Sequence, residues 1–220
     1  MCGKVTIYRS SVPVKHVVVT RFSVPLPQEG SRTHANAGWL SERLELLRAY
    51  YVPSLELSGV RAVLLCSRDT AGSVMREVSD LGWVTVEEQD DWYGGWEGGT
   101  DEVLTRLDSD DAVAPGWFNA IDAYSPEAAT YCCRGTYMLD AEARRLYEVI
   151  RPFPAALAAR AAGKNPYAVD HRALLDTFGG VTLPGKPLLQ VVHGGNVLNR
   201  IPTTAREVPL GAIAEFGLSP

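Results

Sequence analysis

Four short apolar segments, separated by stretches with helical spacing, constrain the fold of this chain more than any other feature. The segments are KHVVVTRF (15–22), VRAVLLCSR (60–68), WVTVEEQ (83–89) and EVLTRLD (102–108). Continuous, β-branched apolar runs of this kind are typical of strands buried on both faces of a parallel sheet. Strands that alternate with helices predict an α/β fold with a mainly parallel central sheet.

Helical spacing fills the intervals between these strands. A helix is predicted over WLSERLELLRAYYVPSLE (39–56), where Pro53 is expected to close or kink it. A second helix is predicted over DTAGSVMREVSDLG, ending at Gly82. Later segments predict a helix in AVAPGWFNAIDAY, a last strand in LLQVVHGGNVLN, and a hairpin from TYCCRGTYML and RRLYEVIRPF, the second of which also suits a helix.

The composition is that of an ordinary globular domain of 220 residues with a net charge of −5. An acidic chain lacks the overall basic field that draws proteins to nucleic acid or to anionic membranes. No apolar run approaches the ~20 residues that span a bilayer, so we expect a cytoplasmic protein without membrane insertion. The four cysteines lack the spacing of a zinc site, and reduced thiols are expected.

Three aspartates follow the fourth predicted strand directly, in LTRLDSDDAV. Asp108, Asp110 and Asp111 repel one another unless a cation lies among them, one of them stays protonated, or water solvates all three. A solvated polar turn is the simplest interpretation of these ten residues alone.

Other polar residues follow the first two strands, where Thr20, Arg21 and Asp69 stand. The carboxyl ends of parallel strands meet at one edge of the sheet, where such folds bind ligands. This convergence favours a divalent cation at the aspartates and a phosphate-bearing substrate beside it. His193, at the end of the last strand, is a further candidate ligand, and an imidazole favours Mn²⁺ over Mg²⁺.

Two other aspartate motifs fit the sequence poorly. An EF-hand loop that begins at Asp108 would need glycine and glutamate where Val113 and Asn119 stand. A phosphatase of the DxDx[TV] type would use Asp108 as nucleophile and Asp110 as acid, but Ala112 occupies the Thr/Val position.

The motifs VVVTRFSVP, WLSERLELLRAYYVPSLE, LTRLDSDDAVAPGWFNAI, RGTYML, NPYAV and LLQVVHGGNVLN occur in this order between residues 15 and 199. In order and spacing they resemble the rhamnosyltransferase family of GT-A-fold glycosyltransferases. The resemblance implies a GT-A Rossmann-like α/β fold, the nucleotide-diphospho-sugar transferase fold, with a smaller C-terminal β-hairpin region for the acceptor. It implies one domain over 1–220, with a nucleotide-sugar-binding half (15–111), an acceptor and catalytic half (112–199) and a tail (200–220).

The implied activity is metal-dependent transfer of a sugar from a nucleotide-diphosphate donor to an acceptor hydroxyl, with inversion. Asp108 and Asp110 resemble the DxD pair that holds Mn²⁺ or Mg²⁺ and the donor, and His193 resembles the C-terminal metal ligand of such enzymes. The residues that the resemblance places at the donor are Thr20, Arg21, Phe22, Asp69, Arg106, Asp108 and Asn196.

The catalytic base implied by the resemblance is an acidic residue shortly after NP, and Asp170 in NPYAVDH is the best match. Glu148 and Asp176 are alternatives, and His171 is a neighbour that could serve instead. Asp170 also suits the N-cap of a helix over HRALLDTF.

The segment DDWYGGWEGG places Trp92, Tyr93 and Trp96 among glycines. It suits a mobile lid whose rings stack on a sugar or base, or equally a surface loop whose tryptophans pack locally.

The sequence leaves open the nucleotide and the sugar of the donor, and the identity of the acceptor. A glycan, a protein, a small molecule and a modified DNA base are all candidate acceptors. The basic cluster that a nucleic-acid acceptor would need is limited to Arg144, Arg145, Arg151, Arg160 and Lys164. A non-catalytic nucleotide-sugar or glycan-binding module and a metal-dependent phosphoesterase remain alternative functions.

Overall fold

A computed structural model describes residues 15–25, 37–92, 96–124, 129–194 and 200–220. Of the predicted site residues, Tyr93 and Asn196 lie outside these ranges. No helix of the described residues is both long enough and apolar enough to cross a membrane.

The central sheet has seven strands, and its middle consists of the four predicted ones. They run parallel as β1 Lys15–Ser23, β2 Arg61–Cys66, β3 Val84–Glu88 and β4 Glu102–Arg106, in the order β4-β1-β2-β3. Three short strands extend the sheet beyond β4 in the order β10-β6-β9: β6 Thr130–Cys133, β9 Ala158–Arg160 and β10 Val181–Leu183. The α/β fold with a mainly parallel central sheet is thus confirmed.

The second sheet has five strands, in the order β12-β8-β7-β11-β5. Its strands are β5 Ala112–Val113, β7 Gly135–Asp140, β8 Arg145–Ile150, β11 Leu188–Val192 and β12 Arg206–Val208. The predicted hairpin is β7–β8, and RRLYEVIRPF contributes a strand rather than a helix. The segment TYCCRGTYML divides at Arg134 between the two sheets, because β6 pairs with β9 and β10 while β7 pairs with β8 and β11.

The first predicted helix is longer than expected. It runs as α1 Ala37–Leu46, a π-helical turn Leu47–Tyr51 and α2 Val52–Ser58, and it ends at Gly59 in the left-handed region. Pro53 does not end the helix, because it lies in the first turn of α2, directly after the π-helical turn. The backbone hydrogen bond that a proline cannot donate is already disrupted at this point of the helix. The remaining helices are α3 Arg68–Glu77, α4 Gly116–Ala123, α5 Leu174–Phe178 and 3₁₀ turns at His171–Ala173 and Leu210–Phe216; α3 ends before the predicted Gly82.

Alternation along β1 separates two cores on opposite faces of the central sheet. Val18 and Phe22 belong to the main core with the helices. Val17 and Val19 face the other side, where Tyr167 and the half-buried Trp92 pack. Arg21 follows the same alternation as Val17 and Val19. Its side chain therefore lies on this second face of the sheet, which loops cover.

Candidate functional site

Asp110 is the centre of the predicted metal site, and its side chain is buried, with 4% of the residue exposed. Its Oδ2 lies 3.1 Å from His193 Nε2 and 3.0 Å from Arg43 Nη1, and Arg43 Nη2 donates to Oδ1 at 3.2 Å. Burial by itself would raise the pKa of Asp110, but the hydrogen bond with His193 and the charge of Arg43 outweigh it and lower the pKa. One carboxylate therefore joins α1 to the end of β11.

Asp111 connects the aspartate segment to β11. It is fully buried, and its Oδ1 accepts a hydrogen bond from the Val191 amide at 3.0 Å, whereas Oδ2 has no partner among the described residues. Burial, with the charges of Asp110 and Asp108, raises its pKa well above the usual value. Asp111 thus anchors β11 to the aspartate segment, in surroundings that disfavour its charged form.

The crowding of the three aspartates is relieved in three different ways. Asp110 faces a guanidinium and an imidazole, Asp111 is buried with a raised pKa, and Asp108 stays half-exposed to solvent. A single solvated turn does not describe this segment.

Asp110 and His193 offer a carboxylate and an imidazole, both of which divalent metals accept as ligands. Asp110 Oδ2 lies 3.1 Å from His193 Nε2, which is a hydrogen-bond distance and is also close to the ~3 Å between adjacent ligands of an octahedral metal. The same carboxylate oxygen lies 3.0 Å from the guanidinium of Arg43. Among the described residues no three His, Cys, Asp or Glu side chains form a group that could hold an ion. Further ligands would have to come from the donor or from water.

Arg21 and Arg106 converge on one aromatic ring. The guanidinium carbons of Arg21 and Arg106 lie 4.2 and 4.5 Å from the ring centroid of Tyr167. Arg21 is also stacked on Trp92 at 3.4 Å and donates to the Trp92 carbonyl at 3.1 Å. The Tyr167 hydroxyl donates to the Val19 carbonyl at 3.0 Å, which fixes the ring between the ends of β1 and β4.

Arg106 is the more exceptional of the two arginines, since only 6% of it is exposed. Its Nε has no hydrogen-bond partner, and its guanidinium forms no ion pair with a carboxylate, among the described residues. A buried cation without a counter-charge is costly, and such sites are common where a ligand supplies the anion.

The other predicted donor contacts have different surroundings. Thr20 is fully buried and its hydroxyl lies 2.8 Å from both the Tyr51 hydroxyl and the Leu107 carbonyl oxygen. Phe22 belongs to the main core. The side chains of Thr20 and Phe22 therefore do not face a ligand at this edge, because their positions alternate to the helix side of β1; only their backbone could. Asp69 is exposed on the first turn of α3.

The described flanks of the predicted lid are packed. Trp92 and Trp96 are half-buried against the second core, and Trp92 covers Arg21. The glycine-rich segment after Trp96 is held by a hydrogen bond from the Gly98 amide to the Gly163 carbonyl at 2.9 Å. Gly163 has a φ of +63°, and a Cβ there would collide with the carbonyls of Gly98 and Gly99. Local packing of the tryptophans thus describes these flanks.

Asp170 caps the 3₁₀ turn that begins at His171, as its alternative interpretation predicted. Its carboxylate accepts from the Arg172 amide at 2.9 Å and from Arg172 Nε at 2.9 Å. These hydrogen bonds hold the pKa of Asp170 far below its usual value, which makes the carboxylate a weak base in this conformation. Burial, followed by the charge of Arg106, lowers the pKa of His171 to about 4, so its imidazole is neutral at pH 7.

The other two candidate bases have different surroundings. Glu148 on β8 pairs with Arg206 and, at 3.2 Å, with Lys186, and these contacts lower its pKa. Asp176 is exposed on α5.

Three side chains at the site were not predicted: Arg43, Tyr167 and Gln190. Arg43 lies on the charged face of a predicted helix, where arginines are ordinarily solvated. Tyr167 stands inside the quoted motif NPYAV, but no local signal distinguishes it from a core tyrosine. Gln190 accepts from Arg151 Nη2 at 2.7 Å.

Comparison with known proteins gives a likeness of fold. No protein-family model matches the sequence, and no curated protein matches it, so the rhamnosyltransferase resemblance depends on the quoted motifs. Similar solved structures include the inositol-1-phosphate CTP transferase from T. maritima, which is 16% identical over 84% of this chain and 86% of that chain, with a TM-score of 0.44. The Mycobacterium tuberculosis H37Rv protein Rv0371C, solved with manganese, is 14% identical over 83% and 90%, with a TM-score of 0.42. S. aureus TarS 1-349 in complex with UDP-GlcNAc is 11% identical over 84% and 60%, with a TM-score of 0.40.

Proposed function

We propose that the protein transfers a sugar from a nucleotide-diphosphate donor to an acceptor hydroxyl. The observation that carries this proposal is that Arg21 and Arg106, near the ends of β1 and β4, both lie over the ring of Tyr167. Arg106 precedes Asp108, the first aspartate of the DxD pair, by two residues. Two guanidinium groups near one ring repel each other strongly in a poorly solvated site. An anion with several oxygens, such as a diphosphate, relieves that repulsion and suits the planar donors of arginine.

Asp108, Asp110 and His193 are the proposed metal ligands. A bound Mn²⁺ or Mg²⁺ would neutralise charge on the departing diphosphate. Asp110 keeps His193 and Arg43 oriented toward the same point, and Asp111 holds the end of β11 in place. Arg21 and Arg106, near the ends of β1 and β4, bind the diphosphate.

The transfer breaks the bond between the anomeric carbon and the diphosphate oxygen and forms a bond to the acceptor oxygen from the opposite face, which gives inversion. The acceptor proton passes to a base, which we place at the Asp170–His171 pair. Asp170 can act only after its hydrogen bonds to Arg172 open, whereas His171 is already neutral. General base assistance is typically worth ~10²–10⁴-fold in rate.

The two members of this pair are separable by mutation. We expect His171→Gln to lower kcat by about 10²–10⁴-fold and Asp170→Asn to lower it less, because asparagine preserves the cap. Since a base must be unprotonated, kcat/KM of the wild type should fall as the pH decreases through about 4. A profile of kcat/KM between pH 3 and 8 checks this, with melting temperatures as control. A large loss in folded Asp170→Asn, with His171→Gln active, would assign the base to Asp170.

The first test of the function is a screen of UDP, GDP and dTDP sugars with Mn²⁺, Mg²⁺ or chelator. A donor at 100 times its Kd should stabilise the fold by ~2.7 kcal/mol, which a thermal shift detects. The products of slow donor hydrolysis then identify the chemistry. Release of intact nucleoside diphosphate supports glycosyl transfer, whereas nucleoside monophosphate with sugar 1-phosphate indicates a phosphoesterase that cleaves the diphosphate. Formation of nucleoside triphosphate and sugar 1-phosphate when pyrophosphate is added indicates nucleotidyl transfer. Binding without any turnover indicates a binding module.

A further inference from the structure

Arg151 is a further half-buried arginine near the site, and the proposed donor contacts do not use it. It follows β8 in the second sheet, and its amide donates to the Arg134 carbonyl at 3.0 Å. Its Nη2 donates to Gln190 Oε1 at 2.7 Å and lies 3.8 Å from Met138 Sδ. The side chain is therefore held over the face formed by β7 and β11.

This position lies beside the aspartate segment. Gln190 directly precedes Val191, whose amide donates to Asp111 Oδ1 at 3.0 Å. The second sheet therefore holds Arg151, whereas Arg21 and Arg106 lie at the ends of β1 and β4 in the central sheet. The proposed acceptor half of the chain thus contributes a cation of its own to the site.

No carboxylate in the described part of the chain forms an ion pair with the guanidinium of Arg151. Burial lowers the pKa of Arg151, and the nearby carboxyl of Asp111 opposes this effect only in part. Arg106, Arg172 and Arg151 also act in the same direction on His171, the neighbouring imidazole. In a protein with a net charge of −5, this concentration of positive charge is local. A cation that is desolvated by its own fold favours binding of an anion.

We propose that Arg151, held by Gln190 beside the aspartate segment, binds an anionic group, phosphate or carboxylate, on the acceptor. This inference rests on the proposed function and specifies its acceptor class. The acceptor is then a hydroxyl compound with an anionic group, and Arg151 binds that group while the hydroxyl faces the donor.

The test compares glucose 6-phosphate, glucuronate and glucose as ligands by calorimetry. The protein is first saturated with the nucleoside diphosphate that the donor screen selects, so that Arg21 and Arg106 are occupied. We expect at least one charged sugar to bind about 10–100-fold more tightly than glucose, the range for hydrogen bonds to a charged group. The stronger of the two charged ligands distinguishes phosphate from carboxylate.

Three variants decide whether Arg151 is responsible. Arg151→Met should abolish the preference, Arg151→Lys should keep part of it, and the exposed Arg145→Gln on the same sheet should keep all of it. Melting temperatures identify any variant that fails to fold, and Arg151→Lys then carries the test. Equal binding of charged and neutral sugars, or a preference that survives in folded Arg151→Met, overturns the proposal. If no nucleoside diphosphate binds, the proposed function fails, and the same titration without nucleotide still decides whether Arg151 selects an anion.

Discussion

Replacing Asp110 by alanine is expected to lower sugar transfer by about 10²–10³-fold and to remove the effect of chelator on donor binding. Asp110 is the carboxylate that brings Arg43 and His193 to one point, at 3.0 and 3.1 Å. Without it, two groups that carry or can carry positive charge face each other at the proposed metal site. The rate of transfer or donor hydrolysis with Mn²⁺ measures the first effect, and the thermal shift with donor, with and without chelator, measures the second.

The same substitution threatens the fold, since breaking a buried ion pair costs about 3–5 kcal/mol when the partner charge stays behind. The double variant Asp110→Ala/Arg43→Met removes both charges and should recover most of the stability without recovering activity. Asp80→Ala is the matched control, because it breaks an exposed pair with Arg48 that solvent screens and that contributes little to stability. Full activity in a folded Asp110→Ala variant would exclude Asp110 from the site.

The large-scale fold was predictable because continuous apolar runs carry a strong signal. The four parallel strands β1 to β4 follow directly from such runs. The two-residue β5 and the three-residue β9, β10 and β12 are too short for any periodicity to show, and they complete both sheets. The assignment of β6 and β7 to different sheets turns on one residue, Arg134, whose identity carries no information about the switch.

The proximity of two candidate residues was predictable, because both follow strands whose carboxyl ends meet at one edge. Asp110 and His193, 83 residues apart, were expected to meet and lie 3.1 Å from each other. Phe22 was assigned to the donor although the alternation of β1 already places it with Val18 on the core side. Arg43 could not be found in this way, because its partner is distant in sequence and a helix surface ordinarily solvates arginine.

Arg106→Met is expected to weaken donor binding by about 10–100-fold while leaving the fold as stable as before, or more stable. Hydrogen bonds to a charged group contribute ~1.5–3 kcal/mol, which gives the loss of affinity. Stability should not fall, because a guanidinium that is 6% exposed and has no counter-charge in the described residues is costly to bury. Methionine fills a similar volume beside Tyr167 without that cost.

The opposite signs of the two effects distinguish a ligand-binding arginine from a structural one. The measurements are the Kd of the selected donor and the free energy of unfolding without ligand. Arg106→Lys should keep the fold and only part of the affinity, because lysine retains the charge but loses the planar fork. Arg68→Met, at an exposed arginine paired with Glu88, should change neither quantity by much. If Arg106→Met instead loses several kcal/mol of stability while the folded fraction binds donor normally, Arg106 supports the sheet, and the diphosphate site must be sought elsewhere.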